Sequence, residues 1–154
     1  RESLLEDQSP VMLDFLSRYE DKERDNLTVF LSTSSVRKTV LFPPAHGVVE
    51  VPFNRQKQQF SVALRTPENE NVMAVLSGTL VYMTYTLEND WVVILQHEGD
   101  YISIYRNMQR VLKRQGDFVQ AGETVALLTD DERPLLFELW QNGTPIDPAE
   151  VIAF

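Results

Sequence analysis

The sequence predicts a mainly β fold, an antiparallel sheet domain preceded by a short N-terminal α-helical segment, and three observations predict it. Past residue 40 the apolar positions fall into short runs rich in β-branched and aromatic residues, spaced as strands are. Turn-forming residues separate those runs, and the six glycines are expected between them rather than inside them. Helical spacing is clear only in one early stretch, residues 9–24.

In that stretch Ser9 is placed to cap and Pro10 suits the first helical position. Met12, Phe15, Leu16 and Tyr19 then share one face, and Lys22 and Arg24 fall in the last turn, where cations suit the helix dipole. A polar run over 20–26 leads into apolar residues 27–31 and a Ser/Thr cluster at 32–35. Residues 1–39 therefore read as a helical lead-in and linker, and 40–154 as the β domain. The apolar stripe would permit the lead-in to pack over the domain, a point the sequence leaves open.

Strands are expected over 40–42, 48–51, 60–64, 72–76, 80–87, 91–95, 101–105, 124–128 and 135–140. Glu88-Asn89-Asp90, Glu98-Gly99-Asp100 and Asn142-Gly143 read as turns between them. A helical turn is expected at 107–112. Of the aromatic residues Trp91, Trp140, Tyr101 and Tyr105, two or three are expected in the core rather than stacked on a ligand.

With 154 residues, 43% of them hydrophobic, the chain has enough apolar surface for one core, and roughly two-thirds of its unfolded surface can be buried at this size. A formal charge of −9 repels phosphate backbones and anionic lipid, which argues against a nucleic-acid partner. The absence of cysteine excludes disulfides and thiolate metal sites. No run approaches the roughly 20 apolar residues that cross a bilayer, so membrane attachment is expected only through an upstream anchor. The chain opens at Arg1 and reads as part of something longer.

Four segments carry a family resemblance. They are Gly78-Thr79-Leu80-Val81; His97-Glu98-Gly99-Asp100-Tyr101 with Ser103 and Tyr105; Gly116-Asp117-Phe118-Val119-Gln120-Ala121-Gly122-Glu123; and Phe137-Glu138-Leu139-Trp140 followed by Asn142-Gly143, Pro145 and Asp147-Pro148. In order and spacing they resemble the framework of the lysostaphin-type (LytM-like) zinc endopeptidases of bacterial cell walls, over about the last two-thirds of the chain. The family holds zinc with the His and Asp of a His-x-x-x-Asp motif and the second His of a His-x-His motif ahead of Phe-Glu. Here the first motif falls on Gln59 and Ala63, the second on Pro134 and Leu136, and a further catalytic His on Asn107. Every one of these positions is substituted. Catalytic zinc takes about three N, O or S ligands and an open water position, and Ala, Pro and Leu side chains offer no ligand atom.

The resemblance thus implies a catalytically inactive domain of the periplasm or cell envelope, with no zinc expected. Its degenerate groove, marked by Gln59, Ala63, Asn107, Pro134 and Leu136, would bind peptidoglycan or an envelope protein such as a cell-wall amidase. The alternatives are an active zinc metallopeptidase of the same family with an unrecognised site, and a purely structural envelope scaffold. Neither His46 nor His97 has a second His or a carboxylate at a zinc-ligand spacing, and Ser77 and Ser103 are expected to lack a nearby His. The 116–123 turn also resembles lipoyl and biotinyl carrier domains, but Asp131 stands where the modified lysine would be.

Overall fold

The computed structural model describes residues 41–129 and 133–154. The predicted helix over 9–24 and the Asp131 position lie outside them. Within them the fold is antiparallel β throughout, as expected. An 8-stranded sheet runs in the order β1 (Val48–Val51), β2 (Val62–Arg65), β10 (Leu135–Gln141), β6 (Tyr101–Met108), β5 (Asp90–His97), β4 (Gly78–Thr86), β8 (Phe118–Val119), with β11 (Thr144–Ile146) paired to β10 beyond the end of β2. A 3-stranded sheet of β3 (Glu70–Met73), β9 (Thr124–Leu128) and β7 (Arg110–Val111) contributes Val72, Val111, Val125, Ala126 and Leu128 to the main core.

Strand alternation sends successive side chains to opposite faces, and this sets two environments. One face of the large sheet carries Val62 and Leu64 of β2, Leu135, Phe137 and Leu139 of β10, Tyr105 of β6, and Val93 and Leu95 of β5, all in the main core. Tyr105 and Phe137 are register partners and meet edge to face at 5.2 Å. Truncating a residue such as Phe137, fully buried, would cost about 3–5 kcal/mol. The other, outer face carries Val92, Ile94, Ile102, Ile104 and Trp140. Of the four aromatics considered from sequence, Trp140, Tyr101 and Tyr105 are buried and Trp91 is partly so.

Two connections have visible local causes. Asn142 (φ 54°) and Gly143 (φ 72°) both adopt the left-handed backbone that a two-residue hairpin turn requires, and Asn-Gly is the pair best suited to it. At Gly78, a Cβ would lie 2.3 Å from the Gln96 carbonyl oxygen and 2.6 Å from His97 Nδ1, so β4 and β5 close together only because this residue has no side chain. Gly78 opens β4 rather than lying between strands, which corrects that part of the sequence reading.

Other differences have equally local reasons. Residues 107–112 form no helical turn: β6 continues to Met108, and β7 follows. Asn107 takes a positive φ of 69° there and donates its backbone N–H to Asn89 O at 2.7 Å, leaving the sheet ladder without entering a helix. Leu41 and Phe42 lie outside the strands, with Phe42 held by one backbone bond to Val75 O. The strand expected to run to residue 76 stops at Met73, because Ala74 instead exchanges backbone bonds with the 120–123 turn. That turn and the preceding one are each closed by a carboxylate. Asp117 Oδ2 accepts from Arg114 N–H and Glu123 Oε1 from Gln120 N–H, both at 2.8 Å, so the motif shared with carrier domains is backbone architecture.

Candidate functional site on the outer sheet face

Three neighbouring strands set one row of side chains at positions marked from the sequence. Ala63 on β2 lies opposite Leu136 on β10, and Leu136 lies opposite Arg106 on β6. Directly opposed residues share a face, so the row reads Ala63, Leu136, Arg106 across the outer surface. Ala63 is buried and Leu136 half-buried, and neither side chain carries a donor atom.

Two residues further along β10, Glu138 projects from the same face and pairs with Arg106. Their side chains are only 5% and 11% exposed, and Glu138 Oε1 also accepts from Trp140 Nε1 at 2.9 Å. Both carboxylate oxygens are therefore engaged. The guanidinium is less well served, since Arg106 Nε is buried with no hydrogen-bond partner. Such an orphaned donor costs about 1–3 kcal/mol. Beyond the ion pair the face is apolar: Val92, Ile94, Ile102, Ile104 and Trp140, flanked by Val81 and Tyr82.

The remaining positions marked from sequence are committed to other contacts. Asn107 Nδ2 donates to Pro134 O at 2.9 Å, and Asn107 Oδ1 accepts from Arg133 Nη2 at 2.8 Å. Arg133 also reaches Asp90 Oδ2 at 3.0 Å and the Glu88 carbonyl, tying the β4–β5 turn to the ends of β6 and β10. Asn107 and Pro134 are thus brought together as part of a clamp. Gln59 forms a bridge with Asn54, and its Nε2 donates to Ser61 O at 2.8 Å. The five marked positions resolve into two contacting pairs, Ala63 with Leu136 and Asn107 with Pro134, plus Gln59 near the start of β2.

Arg106 and Glu138 were not singled out from sequence as site residues. The usable signal was Glu138 itself, one carboxylate in the apolar run Leu135-Leu136-Phe137-Glu138-Leu139-Trp140, since a carboxylate buried in a sheet needs a cation beside it.

On the core side the structure corrects the reading of Ser103. Its Oγ lies 2.7 Å from His97 Nε2, because the 3₁₀ turn Glu98–Asp100 folds β6 back against β5. His97 Nδ1 donates to Ser77 O at 3.0 Å, which leaves Nε2 as an acceptor for the serine hydroxyl. Ser103 Oγ is in turn 3.3 Å from Tyr105 Oη, and Tyr105 Oη accepts from Val75 N–H at 3.2 Å. The network is closed and buried: Ser103 is 0% exposed and His97 3%. Burial holds the imidazole down to about 4 despite the opposing hydrogen bonds from the Ser77 and Leu76 backbone, and pushes the Tyr105 phenol up to about 12. This serine is a core group with no path to a substrate. Among the described residues no group of three or more His, Cys, Asp or Glu is arranged to hold a metal ion.

The model of peptidase family M23 matches residues 57–148, well over half of the chain. The chain belongs to peptidase family M23. It is similar to a lipoprotein NlpD/LppB homolog of Pseudomonas aeruginosa, 33% identical over 85 residues, which is 53% of this chain and 29% of that protein. In fold it is similar to Helicobacter pylori Csd3, with a TM-score of 0.67 and 19% identity over 75% of this chain and 33% of that one. It is also similar to a chain of the SpoIIQ–SpoIIIAH pore-forming complex, with a TM-score of 0.62 and 18% identity over 75% of this chain and 92% of that one. The chain spans about a third or less of the lipoprotein and of Csd3. In this M23 domain the matched region contains the whole row Ala63, Leu136 and Arg106, together with Glu138.

Proposed function

We propose that this M23 domain is a catalytically inactive, zinc-free member of the family that acts in the bacterial cell envelope by binding. Its target is an envelope protein such as a cell-wall amidase, or peptidoglycan itself, and the outer face around Ala63, Leu136 and Arg106 is the binding surface. One observation supports the reading: two of the positions that the resemblance marks as metal ligands are register partners, and they hold alanine opposite leucine. The nearest polar group is a guanidinium already paired to a buried carboxylate. A catalytic zinc does not fit this donor set, because a cation placed there would meet two hydrocarbons and a positive charge.

The similarity to a lipoprotein supports the envelope placement and attachment through an anchor upstream of the domain. No helix among the described residues is long and apolar enough to cross a membrane. The test is metal content after zinc loading and dialysis, read beside degradation of purified sacculi by the protein alone. Sub-stoichiometric zinc and no degradation are expected. Stoichiometric zinc with zinc-dependent cleavage would overturn the reading.

A further inference from the structure

Asn142 and Gly143 form the tip of the hairpin between β10 and β11, and both stand exposed. Asn142 is the one asparagine of the sequence that precedes a glycine. After every other asparagine the next residue carries a side chain that crowds its own backbone nitrogen. At Gly143 there is none, and a Cβ built there meets nothing within 4 Å. Side-chain amides elsewhere are tied down: Asn107 is bonded at both ends, and Asn54 Oδ1 accepts from Lys57 N–H. Asn142 is held through its backbone, whose N–H donates to Asp100 O at 3.2 Å. Its side-chain amide therefore stands in water beside an unscreened main-chain nitrogen.

We propose that Asn142 is a site of spontaneous deamidation, and that its isoaspartyl product releases the 52–59 loop from the hairpin. The Gly143 backbone nitrogen bonds to Asn142 Cγ, the Cγ–Nδ2 bond breaks, and ammonia leaves with the proton that the backbone nitrogen gives up. Water then opens the cyclic imide. Opening at the side-chain carbonyl leaves aspartate, and opening at the main-chain carbonyl leaves isoaspartate, whose main chain runs through Cβ and is one methylene longer. Both residues sit in the left-handed backbone of the turn, so ring closure waits on the turn opening. Little resists that opening, because β11 is a strand of 3 residues.

The consequence reaches past the tip. A two-residue turn fixes the register of the strands it joins, so a lengthened main chain shifts β11 against β10. The Pro145 carbonyl, in the middle of β11, accepts from Arg55 Nη2 at 2.8 Å. The same guanidinium lies 5.2 Å over the Phe53 ring, and Phe53 meets Phe60 at 6.2 Å. Arg55 thus pins to β11 the loop whose ends are bridged by Asn54 and Gln59. When β11 shifts, that pin is lost. The inference stands apart from what the outer face binds.

The test ages the full chain in mildly alkaline buffer and maps its peptides by mass, with isoaspartate identified by isoaspartyl methyltransferase labelling. Conversion at Asn142 is expected to exceed that at every other asparagine severalfold. Brief trypsin digestion then reads the loop, since Arg55 and Lys57 are both exposed. The isoaspartyl protein should be cut after these residues severalfold faster than fresh protein. Gly143→Ala, aged in parallel, should keep both Asn142 and its own fresh cleavage rate. Fresh Asn142→Asp, which adds the charge without lengthening the chain, should be cut at the parent rate. Conversion spread evenly over the asparagines would overturn the proposal. So would equal cleavage of isoaspartyl and fresh protein, or an Asn142→Asp variant cut as fast as the isoaspartyl form.

Discussion

At His97, burial sets the charge state. The folded imidazole titrates near 4, while in the unfolded chain it would titrate near the ordinary 6.5. Below about 6.5 the unfolded state therefore binds the extra proton, so the stability associated with neutral His97 is complete above that pH. It drains away as pH falls toward 4, by about 3 kcal/mol in total. Denaturant titrations at pH 7.5, 5.5 and 4.5 should show this decline, and His97→Gln should flatten it while lowering stability at pH 7.5. A parent whose stability is level from 7.5 to 4.5 would contradict the buried assignment. Gly78 belongs to the same scale, with backbone and ring atoms standing where a Cβ would be. Gly78→Ala should cost about 2 kcal/mol or more, read as a lower denaturation midpoint at unchanged slope.

At the scale of elements, the Arg106–Glu138 pair joins β6 to β10 beneath the outer face. Removing one partner strands a charge in a nearly dry site, whereas removing both does not. Arg106→Leu should destabilise by about 3–5 kcal/mol, and adding Glu138→Leu should recover most of that in a double-mutant cycle. Additive losses would show that the two charges act separately. Most strands were legible in the sequence, because short apolar runs rich in β-branched and aromatic residues mark β1, β4, β5, β6, β9 and β10 and because Asn142-Gly143 announces its hairpin. The strands β7, β8 and β11 were not, since two or three residues carry no period. The 107–112 segment misled for a specific reason: Asn107 adopts the left-handed backbone, a choice fixed by Asn89 and Pro134 that no local pattern records.

For the whole molecule, the family framework was readable because a glycine and two turn carboxylates of its motifs serve the backbone here. Gly78 lets β4 and β5 close, and Asp117 and Glu123 close successive turns. The candidate site was marked in the sequence only by Gln59, Ala63, Asn107, Pro134 and Leu136, the positions where the resemblance puts metal-binding or catalytic residues. The row on the outer face stayed hidden, because Arg106, Leu136 and Ala63 become neighbours only through strand register. The His97–Ser103 contact was hidden in the same way, six positions apart in sequence and 2.7 Å apart in space. Under the proposed function, the hydrocarbons at two of the positions marked from the resemblance and the paired charge beside them serve contact rather than cleavage. The measurement that tests this most directly is dye release from labelled sacculi by a cell-wall amidase from the same organism, alone, with this domain, and with its Leu136→Lys variant. The account predicts that the domain releases nothing by itself, speeds release by the amidase, and loses that effect in the variant. Zinc-dependent release by the domain alone, or equal stimulation by the parent and the Leu136→Lys protein, would contradict it.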